Sequence, residues 1–362
     1  MVTISACLIV KNEESCIKEC LDSISPLCDE IIIFDTGSTD RTKEIATKNP
    51  LVKFIEGSWQ NDFAWARNQS FSYATMDYIL WVDADDLIDS FSMEFLLNLK
   101  KNDLEKYDMI IMPYRYHFDG KNDLYTLDRE RLIKRSLNLK WKGRIHECLP
   151  IVGNYFQLNN KQAYIIHNHQ KPYTDRNLKI FQDMEKNNEI IDVRDQFYYA
   201  NELFTNKLYD DALKWYLKCI NNNNIWRIDK LNAYLKLYKL YRFIYNNIDE
   251  AFKYATLAIT CTDTPRSDVC CALGDIYMQK NNIDWSILWY ERAYNNIASG
   301  FESIFLETHT YTITPLLQLC VLYFKKGDVK KSFEIHKICK DIDLNNESVI
   351  HNTKYFSSIG LF

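Results

Sequence analysis

Along the first 115 residues, continuous apolar runs alternate with segments whose apolar residues recur every three to four positions. "TISACLIV", "DEIIIFD", "LVKFIE" and "YILWVD" read as strands; "NEESCIKECLDSI", "TDRTKEIATK" and "NDFAWARNQSFSYAT", the last beginning near Asp62, read as helices. Valine- and isoleucine-rich strands separated by helices predict a parallel sheet covered on both faces, with ligands bound at the carboxyl ends of its strands. From about residue 116 to 170 the pattern breaks into aromatic and basic pieces such as "LDRERLIKRS", "LKWKGRIHECLP" and "QAYIIHNHQK". These predict short strands and loops closing over that carboxyl edge.

Beyond residue 190 the strand pattern gives way to a helical repeat. "KLYDDALKWYLKCI", "NNIDEAFKYATLAI", "NNIDWSILWYERAY" and "GDVKKSFEIHKICK" align on Ala212, Ala251, Ser286 and Ser332, which lie 39, 35 and 46 residues apart. That period suits a helix-turn-helix solenoid with insertions. Twelve residues before three of these positions stand Ala200, Gly274 and Cys320, small enough for two helices to cross closely. The second unit fits the pattern poorly. The expected organisation is an α/β domain over residues 1–190 with a linker helix, helical repeats over 191–345 and a tail over 346–362.

Composition narrows the function. A net charge of -5 argues against a general nucleic-acid binder. No run approaches the roughly 18 apolar residues needed to span a bilayer. "MVTISACLIVKNEE" lacks the basic start and cleavage site of a signal peptide, so a cytoplasmic location is expected. The eleven cysteines are scattered without a Cys-x-x-Cys pair, and Cys16 and Cys20 share a helical face with Ile17, Leu21 and Ile24. This is the pattern of core packing rather than disulfide or zinc chemistry.

Polar clusters follow three of the strands: "KNEE" at Lys11 to Glu14, including Glu13, "DTGSTD" at Asp35 to Asp40, and "DADD" at Asp83 to Asp86. A buried Asp35 could accept the imide N–H of uracil above a tight turn at Gly37, or serve an Asx turn. Lys11 and Arg67 could meet phosphate, or be solvated cations. The aspartates of "DADD" suit either a divalent metal or a helix cap, the latter open to Asp86 or Asp89.

"ACLIVKNEE", "DEIIIFDTGSTDRTKEIA", "NDFAWARNQS" and "YILWVDADD", in this order, resemble family 2 glycosyltransferases of the GT-A fold. Members carrying C-terminal tetratricopeptide repeats, among them sublancin-type peptide S-glycosyltransferases that modify bacteriocin precursors, resemble it further. The resemblance implies a UDP-sugar donor, Mn²⁺ or Mg²⁺, and inversion at the anomeric carbon. It implies that Asp35 contacts the base and that Asp83 and Asp85 form the Asp-x-Asp. Asp85 is then the direct metal ligand and Asp83 lies nearer the ribose or a water of the metal shell. His167 is its candidate third ligand, with His169 the alternative. For the base that takes the acceptor's proton, Glu147 in "RIHE" is the candidate and His146 its rival, against a structural Glu147–Arg144 ion pair. The expected acceptor is a Cys, Ser or Thr side chain of a peptide held partly by the repeats. The competing expectation is an envelope saccharide or flagellin, with the repeats forming a homodimer or docking the enzyme.

Overall fold

The structure is a computed structural model that describes residues 2–117, 123–168, 174–295, 306 and 308–361. It divides into two compact units, Met1–Asn187 and Asn188–Phe362.

In the first unit, β1 (Ile4–Val10), β2 (Glu30–Asp35), β3 (Val52–Glu56) and β4 (Tyr78–Trp81) alternate with α1 (Ile17–Ile24), α2 (Thr42–Ala46) and α3 (Phe63–Ser72). These strands pair in parallel in the order β3-β2-β1-β4. Side-chain alternation sends Ile4, Ala6, Leu8 and Val10 of β1 into one core with Ile17, Leu21 and Ile24 of α1. Cys7 and Ile32 point into a second core with Trp81, and with Ala64 and Phe71 of α3. Both sheet faces are therefore covered, and Cys16 and Cys20 sit buried in the first core as free thiols.

The sheet is mixed rather than wholly parallel. After α4 (Ser90–Asn102), β6 (Met109–His117) and β7 (Asp123–Lys134) form a long antiparallel pair, and β7 also runs antiparallel to β4. A two-residue strand, β5 (Asp86–Leu87), pairs with β9 (Ile165–Asn168), which runs parallel to β6; β8 (Tyr155–Gln157) adds to the same strand. Beyond β4 the chain returns as a hairpin, and a hairpin requires antiparallel neighbours. The unit ends with α5 (Arg176–Lys186), which buries Leu178, Phe181 and Met184.

The second unit is all-helical. Its pairs are α6 (Val193–Thr205) with α7 (Tyr209–Ile220), α8 (Arg227–Lys239) with α9 (Ile248–Ile259), α10 (Ser267–Gln279) with α11 (Ile283–Asn295), and α12 (Ile313–Lys325) with α13 (Val329–Ile342). The small residues of the repeat mark the crossings: Ala200, Ala212, Ala251, Ser286 and Ser332 are fully buried. Ser286 Oγ donates to the Gly274 carbonyl at 2.8 Å, and Ser332 Oγ to that of Cys320 at 2.6 Å. Five positions before each repeat residue, the turn adopts a left-handed conformation at Lys207, Asn246, Asn281 and Gly327 (φ +62°, +49°, +54° and +89°). The poorly fitting second unit shares this turn. It departs at the first helix, where Lys239 replaces the small residue and the chain enters a π-helical turn over Leu240–Ile244. The expected tail is instead mostly helix: α14 (Glu347–Ser358) is capped by Asn346 and buries Val349 and Phe356, seven residues apart on one face.

Candidate active site

The "KNEE" and "DTGSTD" loops, at the adjacent carboxyl ends of β1 and β2, are laced together. Asn12 N–H donates to Ser38 Oγ (2.9 Å), Thr39 N–H to Asn12 Oδ1 (2.8 Å) and Glu13 N–H to Thr42 Oγ1 (2.8 Å). Asp35 is buried and accepts from the Ser38 and Gly37 amides at 3.0 and 3.3 Å, the Asx-type turn weighed above. Gly37, at φ +106°, supplies the backbone conformation that turn needs. Lys11 is exposed at the end of β1.

Helix α3 organises the next part. Asp62 caps it by accepting from the Trp65 amide at 2.8 Å. Arg67, projecting from it, is 6% exposed and is therefore no solvated cation. Its Nη2 donates to Asp83 Oδ1 at 2.7 Å and its Nε to Glu147 Oε1 at 2.6 Å. The guanidinium lies 4.8 Å and 5.1 Å from the ring centroids of Trp81 and Trp141. Asn68 fixes Trp141 from the same helix, donating to its carbonyl and accepting from its amide at 3.1 and 2.9 Å. Burial opposes ionisation of Asp83, but Arg67 and Arg131 outweigh it and hold the carboxyl well below the usual range. Burial likewise opposes the charge on Arg67, and Asp83 and Glu147 outweigh it.

Glu147 reaches Arg67 through a reversal of the chain. Lys142 and Cys148 form an isolated antiparallel bridge, and Gly143 and His146 between them have φ of +92° and +52°. The expected alternative, an ion pair with Arg144, is not the one formed: Arg144 Nη1 lies 3.6 Å from Asp183 Oδ2. His146 is half-buried within the same reversal.

On the other side of "DADD", Asp85, Asp86 and His167 bring one ligand atom each within 4.8 Å of one another. His167 Nδ1 lies 3.6 Å from Asp85 Oδ1, 3.2 Å from Asp86 Oδ1 and 2.6 Å from the Tyr114 hydroxyl. Burial lowers the affinity of this imidazole for a proton, but Asp86, Asp85 and Asp83 reverse the balance and raise its pKa. Burial, together with Asp83 and Asp86, raises that of Asp85 against the opposing pull of His167. Asp83 belongs to the Arg67 side rather than to this trio. The helix cap falls to Asp89, which accepts from the Ser92 amide at 2.8 Å, and not to Asp86. His169 lies outside the described residues.

Asp86 and Arg131 are the residues whose importance sequence reasoning missed. Asp86 is 1% exposed, and its Oδ2 accepts from Arg131 Nη1 at 3.0 Å and from the Asp83 amide at 2.9 Å. Arg131 is fully buried between the rings of Trp81 and Tyr114, 3.7 and 4.0 Å from their centroids. An irregularity in the β6–β7 register explains its direction. Leu132 stands opposite Ile110 and Glu130 opposite Ile111, which leaves Arg131 as the extra residue of a bulge.

Residues 5–157 match the Glycosyl transferase family 2 model. The segment is a family 2 glycosyltransferase domain. The chain is 30% identical over 234 residues to the SPbeta prophage-derived glycosyltransferase SunS of Bacillus subtilis, covering 61% of this chain and 54% of that protein. It thus spans about half the length of that curated relative. It is 44% identical over 86 residues to a TPR repeat-containing protein of Synechococcus elongatus, covering 24% of this chain and 21% of that one. Among solved structures, TarS 1-349 of S. aureus in complex with UDP is 13% identical over 94% of this chain and 92% of that one, with a TM-score of 0.38. Among the described residues no helix is long and apolar enough to cross a membrane.

The donor set fits the metal that the family implies. Asp85 offers carboxylate oxygen and His167 an imidazole nitrogen, a pairing suited to Mn²⁺ and, with more water, to Mg²⁺.

Proposed function

We propose that the chain is a metal-dependent inverting glycosyltransferase that moves a hexose from a UDP-sugar to a Cys, Ser or Thr side chain of a peptide or protein, such as a bacteriocin precursor. The observation that carries this reading is the convergence of two carboxylate groups at the end of β4: Asp85 beside His167, and Asp83 joined through Arg67 to Glu147. A glycosyl transfer needs both kinds of site. Charge on the leaving diphosphate must be met on the donor side, and a proton must be accepted on the other.

In this proposal Asp35 and the laced "KNEE" and "DTGSTD" loops hold the uridine, with Lys11 and Glu13 at its edge. Asp83 orients the ribose side, while Asp85 and His167 hold Mn²⁺ or Mg²⁺. When bound, that ion supplies Lewis-acid stabilisation of the leaving UDP. Arg67 fixes Glu147 by one carboxylate oxygen, and the carboxylate accepts the proton as the acceptor's sulfur or oxygen forms its bond to the anomeric carbon. The bond from that carbon to the diphosphate oxygen breaks with its electron pair on UDP, in line and with inversion. His146 is the alternative proton acceptor.

The helical repeats, with the resemblance to peptide S-glycosyltransferases, support a peptide acceptor, and action in the cytoplasm belongs to the same proposal. The test is incubation of the full chain with UDP-glucose or UDP-N-acetylglucosamine, Mn²⁺ and candidate peptides, followed by intact-mass measurement. A hexose or N-acetylhexosamine increment on the peptide is expected. Absence of both transfer and donor hydrolysis with either metal overturns the enzyme assignment; hydrolysis without peptide transfer redirects the acceptor to a saccharide.

A further inference from the structure

Residues 131–146 carry six cations and no acid, in a chain whose net charge is -5. Arg131 and Arg144 are spent on Asp86 and Asp183. Of the remaining four, Lys134, Arg135 and Lys140 line one cavity of about 340 Å³ in the first unit. No acid is among the described residues that line it. Its apolar lining is core: Phe71, Ile79 and Ile133 are all buried. The cavity is separate from the site described above. Lys134 stands opposite Tyr78, the first residue of β4, whereas Asp83 and Asp85 follow that strand's last.

The backbone keeps the cations together. Arg135 opens a single 3₁₀ turn, Arg135–Leu137, closed by Asn138 at φ +47°. Its amide donates to the Asp77 carbonyl at 2.8 Å and its Nε to that of Met76 at 2.6 Å. These bonds go to neutral carbonyls, so the charge of Arg135 is not cancelled by them. Two acids lie near this wall. Asp108 Oδ1 is 3.8 Å from Lys134 Nζ, beyond hydrogen-bond reach. Asp77 feels the charge of Arg135, but its carboxylate is bound by the Thr3 amide and hydroxyl at 2.9 and 2.8 Å. Lys140 is exposed and has no ion pair among the described residues.

Three cations exceed the single charge of a carboxylate. A phosphate monoester brings nearly two charges and three acceptor oxygens. Helix α3 contributes its last residues, Phe71 and Ser72, and the carboxyl end of a helix repels an anion. The anion therefore belongs with the cations of β7 and the turn that follows, and an apolar body belongs against Phe71 and Ile79. The volume lies at the small end of the range of ligand pockets, about 300–1,000 Å³.

We infer that this cavity binds a phosphate ester carried on a small apolar body, at the end of the sheet away from the reaction edge. The inference does not rest on the proposed reaction. Its test is calorimetric titration of the metal-free full chain at pH ~8, where a phosphate monoester is a dianion. Phenyl phosphate is expected to bind about 10-fold more tightly than inorganic phosphate, which lacks the apolar body, and than benzoate, which lacks the second charge. Lys140→Glu is expected to weaken phenyl phosphate about 10-fold or more with an unchanged thermal midpoint, and Lys11→Glu, the same charge change at the reaction edge, to leave it as in wild type. No binding of phenyl phosphate, equal affinity for benzoate, or a loss in Lys11→Glu as large as that in Lys140→Glu overturns the inference. Cosedimentation with vesicles separates the sources of the ester. Lys140-dependent retention on phosphatidic acid vesicles, absent on phosphatidylcholine alone, assigns it to a lipid; binding of the soluble ester alone assigns it to a free metabolite, and either upholds the site.

Discussion

The two units differ in what most of their buried polar groups do, although the second also buries one guanidinium, Arg266, against Asp268. In the first, Arg67 and Arg131 are taken out of water, each against carboxylates and each against the ring of Trp81. In the second, the helix crossings are made by small residues, with serine hydroxyls returned to backbone carbonyls. Buried Arg–carboxylate pairs are weak contributors to net stability but costly to break, because the surviving partner is left charged in a poor solvent. A crossing of small residues carries no such liability, and its tolerance is set by volume alone. The first unit therefore commits stability to holding charges in place; the second commits it to close packing.

The largest test of this contrast is Arg67→Ala, which strands Asp83 and Glu147 together. It is expected to lower the stability of the first unit by about 3–5 kcal/mol in urea denaturation. Arg67→Lys should not restore it, since an ammonium cannot hold two carboxylates in a fork. Near wild-type stability in both would show that the ion pairs do not constrain the unit.

Asp85→Asn separates chemistry from stability. Turnover should fall about 10²- to 10³-fold in a sugar-transfer assay while the thermal midpoint changes little. Undiminished turnover would remove Asp85 from the site.

In the second unit, Gly274→Ala probes volume. A Cβ there would stand 2.7 Å from a ring carbon of Tyr290. The resulting overpacking, about 1–3 kcal/mol, exceeds the helix-propensity gain of about 1 kcal/mol, so a net loss is expected on chemical denaturation. A stabilised variant would mean that the ring moves aside freely.

The smallest effect concerns two of the exceptions to the packing rule, Asp195 and Asp229, buried carboxyls of α6 and α8. Burial pushes both up to about 6, with Asp192 adding to the shift of Asp195 and Arg194 opposing both. An unfolded aspartate titrates near about 3.9, so between these values the folded state binds more protons and stability falls as pH rises. The second unit should accordingly unfold at higher urea at pH ~5 than at pH ~7. Asp229→Asn should flatten part of that slope and raise stability at the higher pH; an unchanged slope would refute the assignment.

Much of this molecule was legible in its sequence because the relevant signals are local. Continuous apolar runs and period-3.6 patterns marked β1 to β4 and their helices, Asp62 announced α3, and the spacing of Ala212, Ala251, Ser286 and Ser332 announced the helix pairs. The trio around His167 was half visible, as Asp85 and His167. Asp86 was not, because a fourth acidic residue after a strand looks the same whether it caps a helix or receives a buried guanidinium from a hairpin 45 residues away. Arg131 was hidden for a second reason: a bulge breaks the alternation from which a strand's inward residues are counted. Glu147 was singled out, but the ion pair weighed for it was with Arg144, which is near in sequence, whereas Arg67 is near only in the fold.

Arg67 has one further consequence. A single guanidinium serves as counter-charge to two carboxylates, one at the end of β4 and one in the chain reversal beside Trp141. Asp83 and Glu147 are therefore terms of one electrostatic balance rather than independent groups. Whatever draws Asp83 away from Arg67 leaves more of that cation to Glu147, and the reverse holds equally. A change of charge at one carboxylate is in this way felt at the other through the guanidinium they share.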